Sequence, residues 1–167
     1  GGQNWILRYP FDIVWKASVS PEKIALLKLL KDLLEEQGTS LAFIAVPPRG
    51  YFSDDPARSY IRANSWEEQL EDSIRTFSEE IEILNRIGLI APNLVDMKTV
   101  NGSQDFEMMM PRDHHWTVAG ADAAAALLRK QISSRQLSGF ESAEFIRSDD
   151  VQSLSFESNL QRFFSEE

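Results

Sequence analysis

The chain has 167 residues, 43% of them hydrophobic and 26% charged, which supports one domain with a real core and excludes a disordered composition. Its formal net charge of -9, with Lys and Arg scattered rather than striped, argues against nucleic acid as a partner. Cysteine is absent, so disulfides, thiolate metal sites and a cysteine nucleophile are excluded.

The opening Trp5-Ile6-Leu7-Arg8-Tyr9 is aromatic and β-branched enough for a short strand, which Pro10 ends. Ser20-Pro21-Glu22 then starts a helix: a capping hydroxyl, a proline at the first helical position and an acid that complements the dipole. Leu26, Leu27, Leu30, Leu33 and Leu34 recur at helical spacing as its core face, and Gly38 is its stop.

Leu41-Ala42-Phe43-Ile44-Ala45-Val46 is an unbroken apolar run of strand length, the pattern of a strand covered on both faces. Pro47-Pro48-Arg49-Gly50 follows. Ligands bind beyond the carboxyl ends of strands in an open α/β sheet, so Arg49 is a candidate substrate contact, against the plainer reading of a solvated loop charge. Tyr51 to Asn64 reads as a polar connection with Asp54-Asp55-Pro56 as turn material, a solvated turn rather than a metal site.

Ser65-Trp66-Glu67-Glu68 has the form of a capping box, and a long helix follows with Leu70, Ile74, Phe77, Ile81, Leu84 and Ile87 on one face and Gly88 at its end. Leu94-Val95-Asp96 reads as a second buried strand, and a long loop runs from Lys98 to Trp116. Within it, Met108-Met109-Met110 is read as apolar packing against the sheet edge. Thr117 caps a helix through the alanines to about Ile132, whose small residues permit close packing. Ser133 to Glu167 is more polar, with aromatic and aliphatic residues enough to dock it and a short helix over 158–164. Alternation of helix and strand is the signature of a parallel α/β layer architecture.

The chemistry concentrates at Arg112-Asp113-His114-His115-Trp116-Thr117, which holds both histidines of the chain. A carboxylate near an imidazole orients the ring and stabilises its charged form. In an extended segment alternate residues share a side, so Asp113 and His115 pair while His114 faces away. A packed aromatic-like histidine is the plain alternative. A metal site on Asp113, His114 and His115 is disfavoured, because adjacent histidines rarely both reach one ion.

The run Asp113-His114-His115-Trp116-Thr117-Val118-Ala119-Gly120-Ala121 resembles the Asp-x-His-Trp-Thr-x-x-Gly-Ala signature of the SGNH-hydrolase-like polysaccharide O-acetyltransferases. These are the proteins of alginate acetylation and their relatives, including the group named for Asp-His-His-Trp. The aromatic opening at Gly2-Gln3-Asn4-Trp5-Ile6-Leu7, the strand ending Val46-Pro47-Pro48-Arg49-Gly50 and the segment closing at Val95-Asp96 agree in order, so the resemblance spans about Trp5 to Leu128. It implies a single α/β domain over 1–167, three-layered, with a mostly parallel sheet flanked by helices. It also implies a Ser-His-Asp triad to which this chain supplies Asp113 as orienting acid and His115 as base. Arg49, Tyr51 and His114 are then the candidate substrate contacts. The implied acceptor is a polysaccharide, with acetyl delivered by a membrane-bound acyltransferase partner. The implied location is the periplasm or the exported side, with tethering to the inner membrane by a segment outside this sequence. No cofactor and no metal are expected.

One departure stands out. The family's nucleophilic serine follows the histidine in a Gly-x-Ser turn, and no such turn occurs between Trp116 and Glu167. Ser133, Ser134, Ser138 and Ser142 sit in polar or helix-end contexts, and Ser103 follows a glycine but precedes the histidine. Two accounts follow: an N-terminal, incomplete portion of a longer protein, or a non-catalytic carbohydrate-binding or assembly module of an exopolysaccharide export complex. The latter would use Trp66, Tyr51 and Tyr60 as sugar platforms.

Overall fold

A computed structural model describes residues 5–16, 19–100 and 108–135. The expectations for Ser103, Ser138, Ser142 and the stretch from 136 onward lie outside the described residues.

The helices arise where capping chemistry and periodicity coincide. Helix α1 spans Pro21–Glu35, with Ser20 accepting from the Lys23 N–H and Pro21 at its start. Helix α2 spans Asp55–Ala63, α3 Glu67–Arg86, α4 Met97–Val100 and α5 Val118–Ser134. The connection expected over 51–64 is therefore partly helical. Asp54 is the N-cap of α2 and accepts from the Ala57 N–H at 3.0 Å, with proline in the first turn. Asp-Asp-Pro is thus a helix start rather than a free turn.

Helices α1, α2 and α3 end in the same way, with paired bonds from the two residues past the cap to carbonyls of the last turn. In α1 these run from Thr39 N to Leu34 O and from Gly38 N to Glu35 O, both 2.9 Å; in α3 they run from Leu89 N to Leu84 O and from Gly88 N to Asn85 O. Gly38 and Gly88 carry the positive φ that such an ending needs. In α2 the same position is taken by Ser65 at φ 59, with Trp66 N donating to Ile61 O and Ser65 N to Arg62 O. That overturns the capping-box expectation: Ser65 closes α2, and α3 has Trp66 at its N-cap with no side-chain capping bond.

The strands depart most from expectation. Leu94–Asp96 is a 3-10 turn, its Asn93 side chain accepting from Val95 N–H. From the run at 41–46 only Ala42 forms a bridge, parallel to Ile90, through Phe43 N to Ile90 O at 2.9 Å and Ile90 N to Leu41 O at 3.3 Å. A strand is held by its ladder, and among the described residues Ile90 is the neighbour this segment has. Trp5 to Arg8 lies beside the histidine loop, Ile6 N donating to Pro111 O at 2.9 Å.

Three apolar clusters form the interior. Phe77, Ile81 and Leu84 of α3 pack with Ala45, Leu89 and Ala91. Ile61 and Leu70 enclose Ile13. Ala123, Ala124 and Leu127 of α5 cover Phe52, Leu94, Met97, Met108 and Met109. The stripe on α3 is thus the core face its spacing predicts. Helix α1 is not: Leu27 packs inward, but Leu26 (65%), Leu29, Leu30 and Leu33 stay open to water, as do Phe43 and Ile44. Arg135 joins the ends of α3 and α5 by donating to the carbonyls of Gly88 and Leu89, both at 2.6 Å.

Candidate active site

The histidine loop is built on the start of α5. Thr117 is the N-cap, its hydroxyl accepting from Gly120 N–H at 3.0 Å, and its own N–H donates to Met108 O at 3.1 Å. Met109 bridges Trp116 antiparallel, and Met110 N–H donates to His115 O at 3.0 Å. Met108 and Met109 are buried beneath α5 while Met110 is exposed, so the triple methionine anchors one side of the loop through the first two.

Between these anchors the chain turns, and the turn aims the carboxylate. Asp113 is buried at 3% exposure, and its N–H donates to Met110 O at 3.3 Å. Its Oδ1 stands 2.7 Å from His115 Nδ1 and accepts from the His115 N–H at 3.3 Å. With a proton on Nδ1, His115 donates to that carboxylate and keeps Nε2 as the nitrogen available to take another. The His115 side chain is 54% exposed. Among the described residues, neither Asp113 nor His115 lines the cavities beside Tyr51, Asn85 and Asp122.

His114 departs from the extended-strand argument. Its Nδ1 lies 3.3 Å from the same Oδ1, and the two imidazole centroids are 4.2 Å apart with a 33° tilt. Bends at 113–115 replace the extended backbone that would have sent alternate side chains to opposite sides. Adjacent histidines do reach one carboxylate here, and the ligand atoms of Asp113, His114 and His115 lie within 4.8 Å of one another.

Arg49, expected to face a substrate, is turned inward at 4% exposure. Its Nη1 donates to Met110 O at 2.8 Å and Pro111 O at 3.1 Å, and its Nη2 donates to Ile6 O and pairs with Asp12 at 3.2 Å. The short 3-10 turn at Arg49–Phe52 folds the side chain back into the domain, whereas an extended loop would have presented it to water.

Tyr51, in the same turn, lines a groove of 560 Å³ with Arg58, Arg62, Arg75, Glu67 and Glu71. Burial raises its phenol above the usual range. Lys98, which sequence reasoning passed over, donates to Tyr51 O and sits 4.1 Å from the Tyr51 ring centroid. Burial of the ammonium, with Arg58 adding repulsion, lowers its pKa to about 8. Nothing in the local sequence marks Lys98, because its partner is set by the fold. Trp66 and Tyr60, candidate sugar platforms, pack edge to face at 5.7 Å, and Tyr9 stacks on Trp66 at 5.0 Å.

An imidazole paired with a buried carboxylate at a loop-to-helix junction can take up and release a proton, the chemistry that an acyl transfer requires of its base. The family model of the SGNH hydrolase-like domain of the acetyltransferase AlgX matches residues 1–166, and the chain belongs to that family. Among solved structures it is similar to AlgX of Pseudomonas aeruginosa, with a TM-score of 0.63 and 22% identity, over 78% of this chain and 30% of that one. The chain therefore spans less than a third of that relative, and the likeness carries the SGNH hydrolase-like fold. No curated protein sequence matches.

Proposed function

We propose that this chain supplies the acid and base of an O-acetyltransferase acting on an exported polysaccharide. The carrying observation is the 2.7 Å approach of His115 Nδ1 to the buried Asp113 carboxylate beside an open imidazole edge. In the first half-reaction His115 Nε2 takes the proton of a serine hydroxyl as its oxygen attacks the acetyl carbonyl. Asp113 stabilises the imidazolium so formed, and the departing donor group carries the proton away. In the second, a sugar hydroxyl gives its proton to the same nitrogen and attacks the acetyl ester, and the serine oxygen leaves with that proton. In the family pattern that serine would stand in a Gly-x-Ser turn after the histidine motif. Ser133 and Ser134, in the last turn of α5, do not have that setting.

The wider reading includes a three-layer domain with a mostly parallel sheet. The parallel Ala42–Ile90 bridge and the open apolar side chains of Phe43 and Ile44 support it, since a strand at a bare sheet edge presents these features. Tyr51 and His114 are proposed acceptor contacts: one lines a groove rich in arginine and carboxylate, the other borders the base. We place the protein on the exported side of the inner membrane, with acetyl delivered by a membrane-bound acyltransferase, on the strength of the family alone. Acetyl release from a small ester, measured on the full-length parent and its His115→Ala variant, tests the proposal. A drop of roughly 10²- to 10⁴-fold is expected, and equal rates remove His115 from the mechanism.

The second reading, a carbohydrate-binding module, is favoured by the Tyr9–Trp66–Tyr60 cluster, whose tyrosines are about half exposed. Oligosaccharide binding lost in Trp66→Ala but retained in His115→Ala would select it.

A further inference from the structure

Among the described residues a polar knot lies outside the dyad. Arg49 donates from Nη1 to the carbonyls of Met110 and Pro111, residues 61 and 62 positions away, and from Nη2 to Ile6 O and Asp12 Oδ2. Asp12 is itself 3% exposed and accepts from the Arg8 N–H at 2.7 Å, while its carbonyl accepts from Gly50 N–H at 2.8 Å. The Trp5 ring covers the guanidinium, its centroid 5.0 Å from Cζ.

What this knot grips is the base of the histidine turn. Met110 O, held by Arg49, also accepts from the backbone N–H of Asp113, and Met110 N–H donates to His115 O. One peptide residue is thus bonded to both members of the dyad and clamped by an arginine 61 positions away in the chain. Nη1 holds the two neighbouring carbonyls while Nη2 holds Ile6 O and Asp12, so both ends of the planar fork are used; a lysine has all its donors on one nitrogen and cannot reach both pairs at once.

We propose that Arg49 is a positioning residue: paired with Asp12, it fixes the Met110–Pro111 carbonyls and so keeps Asp113 aimed at His115 Nδ1. It touches no reacting atom, and the inference rests on the reading of Asp113 and His115 as a catalytic dyad. A buried ion pair that only holds the fold together would lower stability without altering the imidazole, so the test reads the imidazole directly.

His114 and His115 are the two histidines of the chain, so a long-range ¹H–¹⁵N spectrum reports two rings, which a His114→Ala variant assigns. In the unsubstituted chain the neutral His115 ring carries its proton on Nδ1, with a downfield resonance from the bond to Asp113. Asp113→Ala abolishes that signal. Arg49→Met is expected to reduce the Nδ1–H population to the Asp113→Ala level, and Arg49→Lys to lose at least half of it, with the far-ultraviolet helical signal unchanged. In the full-length parent Arg49→Lys lowers kcat roughly 10- to 100-fold by misalignment, with KM unchanged. A full Nδ1–H signal in both Arg49 variants, with the signal lost in Asp113→Ala, overturns the clamp and leaves the dyad standing. An unaltered signal in Asp113→Ala itself overturns the dyad and the clamp together. If Arg49→Met loses its helical signal, Arg49→Lys decides alone, and an unchanged His115 ring in that variant overturns the proposal.

Discussion

Gly120 of α5 faces the carbonyl of Met108 so closely that a Cβ at this position would stand 2.0 Å from the oxygen. The same carbonyl accepts from Thr117 N–H. The start of α5 and the base of the histidine loop are therefore in backbone contact, which a side chain at 120 would prevent. Gly120→Ala should cost roughly 1–3 kcal/mol or more by overpacking, read as a lower urea midpoint at unchanged m value. Since loop and helix must separate, acetyl release by the full-length parent should fall with it. A midpoint equal to that of the unsubstituted chain would show that the loop yields freely.

His114 and His115 share one carboxylate oxygen, at 3.3 and 2.7 Å. The shorter contact marks the ring that is held. His114→Ala should lower acetyl release by less than about tenfold, well short of the 10²- to 10⁴-fold range of a lost general base. Equal losses at the two positions would mean that they act as a unit.

Glu80 is buried and accepts from Trp15 Nε1 at 2.7 Å and Val19 N at 3.1 Å, tying the chain before α1 to α3. Removing the acceptor leaves two donors in need of partners. Glu80→Ala should destabilise the domain by about 1–3 kcal/mol, and Trp15 fluorescence should shift to the red as its indole meets water. Unaltered emission would show that the indole keeps its surroundings without Glu80.

The ammonium of Lys98, lowered to about 8 from 10.5, binds fewer protons in the folded state than in the unfolded chain over the interval between those values. Stability therefore rises with pH above about 8. Because part of the residue still meets water, the rise should be shallow. Above about 10 the half-buried Tyr51 phenol, which ionises later in the folded state than in the unfolded one, pulls in the opposite direction. Lys98→Met should flatten the rise between pH 8 and 10 in urea titrations; an identical slope would assign it to other groups.

Much of the helical framework was legible because its signals are local. Ser20 with Pro21, Thr117 before the alanines, Gly38 and Gly88 each act within a few residues, and the α3 stripe states its own period. Ser65 misled because one residue bordered two helices, and the ending of α2 took it rather than the start of α3. Asp113 and His115 were legible as a pair, two positions apart in a distinctive motif. The side taken by His114 was not, since it depends on whether the backbone there extends or bends.

The amino-acid order by itself determined the starts of α1 and α5, the ends of α1 and α3, the pairing of Asp113 with His115 and, through the histidine motif, the family. Only the tertiary structure decided that Arg49 turns inward to hold Met110 and Pro111, that Lys98 rests on Tyr51, and that Leu26, Leu29, Leu30 and Leu33 of α1 stay exposed. The reason is separation along the chain. Caps and periodicities are settled among neighbours, whereas a carbonyl's donor from 61 residues away, or the lack of a covering layer, exists only once distant segments have met.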